Sequence, residues 1–352
     1  MTLRYIGSKA RVGEELSAFI GKPDGGRFVD AFCGMGSVAE VAANLGWRIA
    51  LNDHLAYAVA MSAGRLVSVD EAPFSSFGGY AAAITLLNEL PSKMGFIWQE
   101  YSPASEHASA SKIERRYFSE ANAAKIDAIR SRIFEWRRDG LLNVAEERVL
   151  IADLLGAANR VANIAGTYGC FLATWTAQGH ATLSLRPREL RPAATPLDTS
   201  IADVKDLDVR PDDTVYLDPP YTKRQYASYY HILETITLGD APVVEGVAGL
   251  RPWRHRASDY CYKRRALSAL SDLIRGLPAQ RILLSYSSEG HVNLDELQVA
   301  LADIGKVQTH PLKSIGRYRP NQTASDTASE VHEYLMVIQR SPVPLRAAGG
   351  RS

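Results

Sequence analysis

Residues 27–43 read RFVDAFCGMGSVAEVAA, and this stretch decides the fold class. A short apolar run at residues 27–32 leads into a glycine-containing turn at residues 33–37. The following residues, 38–43, have the composition of a helix. The pattern therefore predicts a strand, a tight turn and a helix in succession.

A second unit of the same kind follows directly. Residues 48–51 form another apolar run, and residues 57–61 continue at helical spacing. Two successive strand–helix units predict a parallel sheet with helices packed on it, which is an α/β architecture. Later apolar runs predict further strands of the same sheet at residues 214–217, 281–286 and 333–338.

The middle of the chain has a different character. Alanine-rich helical stretches, such as residues 79–90 and 121–138, alternate with polar turns, and strand signals are sparse. We therefore predict a helical insertion over residues 70–196 within a main domain. The predicted division is residues 1–69 and 197–340 for the main domain and residues 341–352 for a disordered tail rich in Pro, Arg, Ala and Gly.

The composition limits the kinds of protein that this chain can be. It has 352 residues, of which 46% are hydrophobic, so it can bury a large core. The formal net charge is only +1, and any contact with nucleic acid must come from a local basic surface. Neither a signal peptide nor an apolar run of membrane-spanning length is found, which predicts a cytoplasmic protein without membrane contact.

The three cysteines indicate neither a metal site nor a disulfide. Cys33, Cys170 and Cys261 lie far apart and lack the paired spacing of zinc or redox motifs. We expect reduced, structural cysteines and no bound metal.

The glycine turn and the acid that follows it are typical of a nucleoside site. Gly34 and Gly36 allow the backbone to turn tightly and to approach a ligand. Asp53 ends the second strand, where its carboxylate can accept hydrogen bonds from ribose hydroxyls. Ala39 stands where a dinucleotide motif has its third glycine, so a nicotinamide or flavin cofactor is not favoured. Taken alone, the glycines are equally compatible with a simple structural turn.

Asp218-Pro219-Pro220-Tyr221 gives the sharper chemical signal. It follows the apolar run at residues 214–217 and should therefore lie at the carboxyl edge of the sheet, where open α/β folds bind ligands. Two prolines fix the backbone and remove N–H donors, so the segment presents only acceptors. The Asp218 carboxylate and the Pro219 carbonyl can accept both N–H groups of an adenine N6 amine, while Tyr221 can stack on the extruded base. A simple turn would not need an aromatic fourth residue.

Four motifs together carry a family resemblance. They are the N-terminal RYIGSK at residues 4–9, FVDAFCGMGS at residues 28–37, Asn52-Asp53, and Asp218 to Tyr221. In this order the chain resembles the Dam-like N6-adenine DNA methyltransferases, in the arrangement that places the cofactor motif before the catalytic one. Residues 222–226 and 229–236 also resemble one branch of this family.

The resemblance implies a Rossmann-like methyltransferase domain and S-adenosylmethionine as the cofactor. It implies that Tyr5, Lys9, Asp30, Gly34 and Gly36 hold the methionine side of the cofactor, that Asp53 binds the ribose, and that Asp203, or alternatively Asp206, meets the adenine amine. The insertion would recognise a DNA sequence. The implied function is a site-specific methyltransferase of a restriction–modification system, acting on double-stranded DNA, with a restriction endonuclease as a candidate partner.

Basic residues interleaved with aromatic ones predict where DNA would contact the chain. The predicted DNA-binding residues are Lys223, Arg224, Arg251, Arg254, Arg256, Lys263 and Arg264. Each one alone is more often part of a solvated face. Their combination with the Asp218 motif favours a nucleic-acid substrate.

Two other functions remain open from the sequence. A methyltransferase with the same cofactor can act on RNA or on a protein amide through a related proline-containing motif. A DNA-binding relative that has lost its activity is the second alternative, although the presence of Asp218, Asp53 and Gly34 argues against it.

Overall fold

The computed structural model describes residues 9, 12–312 and 332–340. The predicted cofactor residue Tyr5 and the predicted tail at residues 341–352 lie outside the described residues. Lys9 lies within them.

The core of the fold is a seven-stranded sheet. Its strands are β1 (Phe28–Asp30), β2 (Ile49–Asp53), β3 (Leu197–Ile201), β4 (Thr214–Leu217), β5 (Arg281–Ser287), β6 (Gly305–Leu312) and β7 (Glu333–Arg340). The strand order is β3-β2-β1-β4-β5-β7-β6. β7 runs antiparallel to β5 and β6, and the other neighbours are parallel. The predicted α/β, Rossmann-like fold is confirmed.

The register of the central strands determines which residues meet at the edge. Asp30, the last residue of β1, pairs with Leu51 of β2 and with Tyr216 of β4. Because these strands are parallel, their carboxyl ends lie at one edge of the sheet. Asp53 and Asp218 are therefore brought to the same edge as Asp30.

Thirteen helices are found in the described part of the chain. Those before the predicted insertion are α1 (Gly13–Ile20), α2 (Ser37–Asn44) and α3 (Ala56–Leu66). Those within residues 70–196 are α4 (Tyr80–Glu89), α5 (Phe96–Tyr101), α6 (Ser105–Ala108), α7 (Glu120–Arg138), α8 (Val144–Val161) and α9 (Ala177–His180). The remaining helices are α10 (Tyr226–Tyr229), α11 (His231–Leu238), α12 (Ala266–Gly276) and α13 (Leu294–Leu301). None of them combines the length and apolar character that a membrane crossing requires.

Helices cover both faces of the sheet. Side chains alternate along each strand, so Val29 and Val215 pack against α12 and α13, while Phe28 and Tyr216 pack on the opposite face with α1 and α2. Burial on both faces explains why β1 and β4 read as continuous apolar runs.

The helical segment at residues 70–196 contains no β-strand, and the structure describes all of it. Its long helices begin at strong caps: Ser119 accepts the Asn122 backbone N–H at the start of α7, and Asn143 forms a capping box with Glu146 at α8. The core of these helices is continuous with α3 and α11. The segment therefore buries its apolar side chains jointly with the helices beside the sheet.

The turn between β1 and α2 depends on glycine at position 36. Gly36 has a φ of 73°, and a Cβ there would lie 2.8 Å from the Ser62 Cα in α3. Residues that carry a side chain rarely adopt this backbone conformation. The Ser62 Cα belongs to the backbone of α3 and cannot move easily. The turn is thus packed directly on α3.

We expect Gly36→Ala to lower the free energy of unfolding by about 2–4 kcal/mol. The strain of the left-handed backbone conformation and the overpacking of the new Cβ against Ser62 both contribute to this loss. Gly78→Ala is a matched control, since Gly78 has a φ of 75° but a Cβ there would meet no atom within 4 Å. That control should cost about 1 kcal/mol from the backbone conformation alone. Urea unfolding measures both values, and equal losses would contradict the packing argument.

Candidate active site

A cavity opens at the carboxyl edge of the sheet. It lies beside the ends of β1, β2 and β4, where side chains and loop backbone converge. The predicted site residues that line it are Lys9, Asp30, Gly34, Asp53, Asp203 and Asp218. Ligands bind at this edge in open α/β folds, so its position agrees with a substrate or cofactor site.

Asp218 is held beside a buried lysine. The Lys9 Nζ lies 3.4 Å from the Asp218 Oδ1 and 2.8 Å from the Glu333 Oε2 at the start of β7. The Asp218 side chain is 16% exposed. Burial raises the pKa of Asp218 to about 6, and Glu333 adds to this rise while Lys9 opposes it. Lys9 therefore favours the ionised form of the Asp218 carboxylate.

Lys9 itself remains charged. Burial alone would lower the pKa of Lys9, but the charge of Asp218 and further support from Tyr216, Tyr221 and Glu333 hold it well above its usual value. One ammonium group is thus shared between two carboxylates.

Only part of the proline motif borders the cavity. Pro219 is buried, and Tyr221 lies with its ring centroid 5.6 Å from the Lys9 Nζ and 5.7 Å from the Tyr286 ring. The backbone N–H of His291 donates to the Tyr221 carbonyl at 2.8 Å. Pro220 lines the cavity, whereas Pro219 and Tyr221 do not.

Asp30 is a buried carboxylate with unused acceptor capacity. It is 2% exposed, and its Oδ1 has no hydrogen-bond partner among the described residues. Burial, together with repulsion from Asp218 and Asp53, raises the pKa of Asp30 to about 8. A buried carboxylate in this state favours a ligand that brings a positive charge or a hydrogen-bond donor.

Asp53 joins the turn to the second strand. Its Oδ2 accepts the Gly34 backbone N–H at 3.1 Å, and its Oδ1 accepts the Leu55 N–H at 3.0 Å. Burial raises the pKa of Asp53 to about 7, although these backbone donors oppose the rise. Each carboxylate oxygen has a second acceptor position, so the group can still bind ligand hydroxyls.

The two glycines of the turn have different surroundings. Gly34 lines the cavity with a φ of 48°. Gly36 does not line it, because its α-carbon faces Ser62 of α3. The structure therefore gives Gly36 a packing role and brings only Gly34 to the cavity.

Asp203 and Asp206 also differ. Asp203 lines the cavity, and its side chain accepts the Lys205 backbone N–H at 3.0 Å. Asp206 ends the short 3₁₀ turn that follows and is not among the lining residues. The geometry favours Asp203 of the two.

A family model described as D12 class N6 adenine-specific DNA methyltransferase matches residues 5–297. The chain belongs to this family. The resemblance to N6-adenine DNA methyltransferases that the sequence predicted is thereby confirmed.

Individual relatives agree with the family. The chain is 31% identical over 342 residues to the type II methyltransferase M.FokI of Planomicrobium okeanokoites, and 30% identical over 350 residues to the modification methylase StsI of Streptococcus sanguinis. These alignments cover 96% and 97% of the chain but only 53% and 52% of the relatives. The chain thus spans about half the length of these two proteins. It is also 30% identical over 353 residues to the type II methyltransferase M.NlaIII of Neisseria lactamica, with coverage of 96% of the chain and 100% of the relative.

As a member of the D12 class, the chain requires a methyl donor, and the cavity beside Asp218 is the candidate site for it. Among the residues that the structure describes, no group of three or more His, Cys, Asp or Glu side chains has a metal-binding arrangement. The expectation that the site uses no metal stays a prediction.

The predicted DNA-binding residues fall into two groups. Lys223, Arg224, Arg254, Lys263 and Arg264 are exposed. Lys223, Lys263 and Arg264 surround a shallow depression that they share with Cys261, Tyr262, Arg265 and His291. These cations are brought together on the surface near residues 218–221.

Arg251 and Arg256 have internal partners, which the sequence prediction did not anticipate. Arg251 forms an ion pair with Asp240 at 2.8 Å and donates to the Thr235 Oγ1. Arg256 lines the cavity and binds the Glu234 Oε1 at 2.7 Å. Their guanidinium groups are occupied inside the protein, so the geometry does not support free phosphate contacts from these two residues.

Sequence reasoning also missed several residues at the cavity. Glu333 contacts Lys9 from β7, and Tyr226 and Gln225 line the cavity beyond the catalytic motif. The only sequence signal for the last two was their position in residues 222–226, which resemble one branch of the family. No pattern pointed to Glu333, since it approaches the site through tertiary contact alone.

Proposed function

We propose that this chain transfers a methyl group from S-adenosylmethionine to the N6 amine of an adenine extruded from duplex DNA. The observation that carries the proposal is the position of Asp218: its carboxylate follows a central strand and faces the same cavity as Asp30 and Asp53. Membership in the D12 class supports the same reaction.

The residues of the cavity fit the proposed methyl donor. S-adenosylmethionine supplies an electrophilic methyl group on a positively charged sulfur, and it also carries an ammonium group. The unpartnered Asp30 Oδ1 is suited to a donor or cation from its methionine part, together with the Gly34 backbone. Asp53 would accept the ribose hydroxyls, and Asp203 would meet the amine of the donor's adenine. Tyr5 and Lys9 would complete the methionine side.

Asp218 and Pro219 would activate the target amine. The N6 lone pair is delocalised into the purine ring, and hydrogen bonds from both N–H groups to fixed acceptors favour a pyramidal nitrogen that can attack. The carboxylate of Asp218 must be ionised for this, and the neighbouring Lys9 favours that state. The contribution of the protein is positioning and electrostatics.

The target base must leave the helix to reach this edge, because its amine is inaccessible within a duplex. Tyr221, close to Lys9 and Asp218, is suited to stack on the extruded ring, a contact of about 1–3 kcal/mol by analogy with single-strand binders. The helical segment at residues 70–196 would contribute to recognition of the DNA sequence.

The alternative acceptors are RNA and a protein amide. The description of the family supports DNA, and the relatives' names, a type II methyltransferase and a modification methylase, agree with it. By the same analogy we propose a role in a restriction–modification system in the cytoplasm, with a restriction endonuclease of matching sequence specificity as the partner. Nuclease digestion of the labelled product distinguishes DNA from the other acceptors.

Replacement of the catalytic carboxylate tests the reaction. Asp218→Ala should lower the rate of labelled methyl transfer to duplex DNA by about 10³-fold or more, because an essential acceptor is lost. Binding of S-adenosylhomocysteine, followed by calorimetry, should persist. The wild-type rate should fall as the pH drops below about 6, since the pKa of Asp218 is raised to about 6 and its ionised form is required. Asp272→Ala, an exposed position in α12, is the control. Retained activity of Asp218→Ala would refute the catalytic assignment.

A DNA-contacting surface is proposed at the shallow depression beside the catalytic motif. Lys223, Lys263 and Arg264 are exposed there, and the nearby Tyr262 stacks with Arg265 at 5.3 Å. Exposed cations next to residues 218–221 are suited to the phosphates that flank an extruded nucleotide.

The double variant Lys263→Ala/Arg264→Ala should bind duplex DNA at least tenfold more weakly, and the slope of log K against log[salt] should decrease by about two. Fluorescence anisotropy at several salt concentrations measures both quantities. Lys22→Ala is the control, because Lys22 is exposed but precedes β1 and so lies at the opposite edge of the sheet. An unchanged salt slope in the double variant would exclude this surface.

A further inference from the structure

One wall of the cavity is formed by residues 256–258, which belong to none of the motifs. Arg256, Ala257 and Ser258 all line the cavity. Gln225 and Glu234, which follow the proline motif in the chain, form hydrogen bonds with this wall. Neither residue has a role in the proposed reaction.

Gln225 binds the wall through both ends of its carboxamide. Its Oε1 accepts the Ser258 backbone N–H at 2.9 Å, and its Nε2 donates to the Ser258 carbonyl at 3.2 Å. Gln225 is buried, at 8% exposure. A carboxamide is suited to this arrangement because it offers a donor and an acceptor side by side.

Glu234 provides a second anchor for the same wall. Its Oε1 accepts from the Arg256 guanidinium at 2.7 Å, and its Oε2 accepts the Tyr57 backbone N–H at 3.0 Å. The Arg256 guanidinium also donates to the His54 carbonyl at 2.9 Å. The wall is thereby tied to the loop after β2, which follows Asp53.

The loop at residues 218–225, here called the catalytic loop, is fixed at both of its ends. At its start, Asp218 pairs with Lys9, and at its end Gln225 binds Ser258. Arg224, immediately before Gln225, accepts through its carbonyl from the Cys261 thiol at 3.3 Å. A displacement of the wall would therefore also displace the catalytic loop, which carries the proposed hydrogen-bond acceptors Asp218 and Pro219. A displacement of the loop would likewise displace the wall.

We propose that Gln225 is a positioning residue that couples the wall at residues 256–258 to the catalytic loop, so that methyl-donor binding and target-DNA binding favour each other. The inference rests on the proposed function, because it assumes both ligands. The two hydrogen bonds between Gln225 and Ser258 are here called the clamp. When a bound donor fixes the position of the wall, the clamp holds Asp218 and Pro219 in the arrangement that receives the base. Linkage makes the effect reciprocal: DNA must tighten donor binding by the same factor.

The chain offers a matched control for this clamp. The Asn88 Nδ2 donates to the Leu185 carbonyl at 3.0 Å, and the Asn88 Oδ1 accepts the Leu185 N–H at 2.9 Å. This is the same pair of bonds, but neither residue lines the cavity. Gln225→Met and Asn88→Leu remove equivalent hydrogen bonds with similar side-chain volumes.

The experiment measures binding of S-adenosylhomocysteine by calorimetry, with and without a duplex oligonucleotide that the wild-type protein methylates. In the wild type, DNA should tighten this binding about fivefold or more, a typical coupling between sites. Gln225→Met should weaken binding about tenfold without DNA, because the ligand must then order a wall that the two hydrogen bonds no longer hold, and should reduce the coupling below about twofold. Asn88→Leu should leave the affinity and the coupling unchanged, with a similar decrease in Tm.

The outcomes separate the inference from the proposed function. If Gln225→Met keeps wild-type affinity and coupling, the clamp has no positioning role, although the protein remains a methyltransferase. If the wild type fails to bind S-adenosylhomocysteine, the proposed function itself fails. If Gln225→Met does not fold, Gln225→Glu is the variant to test. It keeps the acceptor for the Ser258 N–H but places an oxygen against the Ser258 carbonyl. It should show reduced coupling, and full coupling in this variant would overturn the inference.

Discussion

Three carboxylates are brought to one cavity, and the rest of the site depends on this crowding. The parallel strands β1, β2 and β4 end at the same edge, so Asp30, Asp53 and Asp218 face a common space. Burial raises the pKa of all three carboxyl groups, and the charges of Asp218 and Asp53 raise the pKa of Asp30 further. The charge of Lys9 opposes this rise for Asp218, so the pKa of Asp218 stays below that of Asp30. Asp218 is therefore ionised more readily than Asp30, whereas Asp30 is suited to a positively charged ligand.

The elements around the cavity hold these groups in place from several directions. Backbone N–H groups orient Asp53, and Glu333 shares Lys9 with Asp218. Gln225 and Glu234 bind the wall at residues 256–258. The unpartnered Asp30 Oδ1 is a buried polar atom without compensation among the described residues. Functional sites commonly retain such unfavourable groups at the expense of stability, because the ligand supplies the missing interaction.

Sequence patterns predicted the elements whose signals are local. The apolar runs of β1, β2, β4, β5 and β7 and the glycine turn were readable, because buried parallel strands and tight turns restrict residue type. β3 and β6 were missed, since both are edge strands with many polar residues. The internal partners of Arg251 and Arg256 were missed for a related reason: sequence shows charge but not the group that neutralises it. The clamp between Gln225 and Ser258 and the approach of Glu333 arise from tertiary contact, which no local pattern encodes.

We propose that the cavity is an acidic binding site for a cationic methyl donor, which should release protons when the donor binds. Calorimetry of S-adenosylmethionine binding at about pH 7, in buffers with different ionisation enthalpies, measures this release. Asp30 has a pKa of about 8 without ligand, so it is mostly protonated at this pH. A bound cation favours the ionised form, so about one proton should be released per donor bound, and fewer in Asp30→Asn. Binding without proton exchange, and with unchanged affinity in Asp30→Asn, would contradict it.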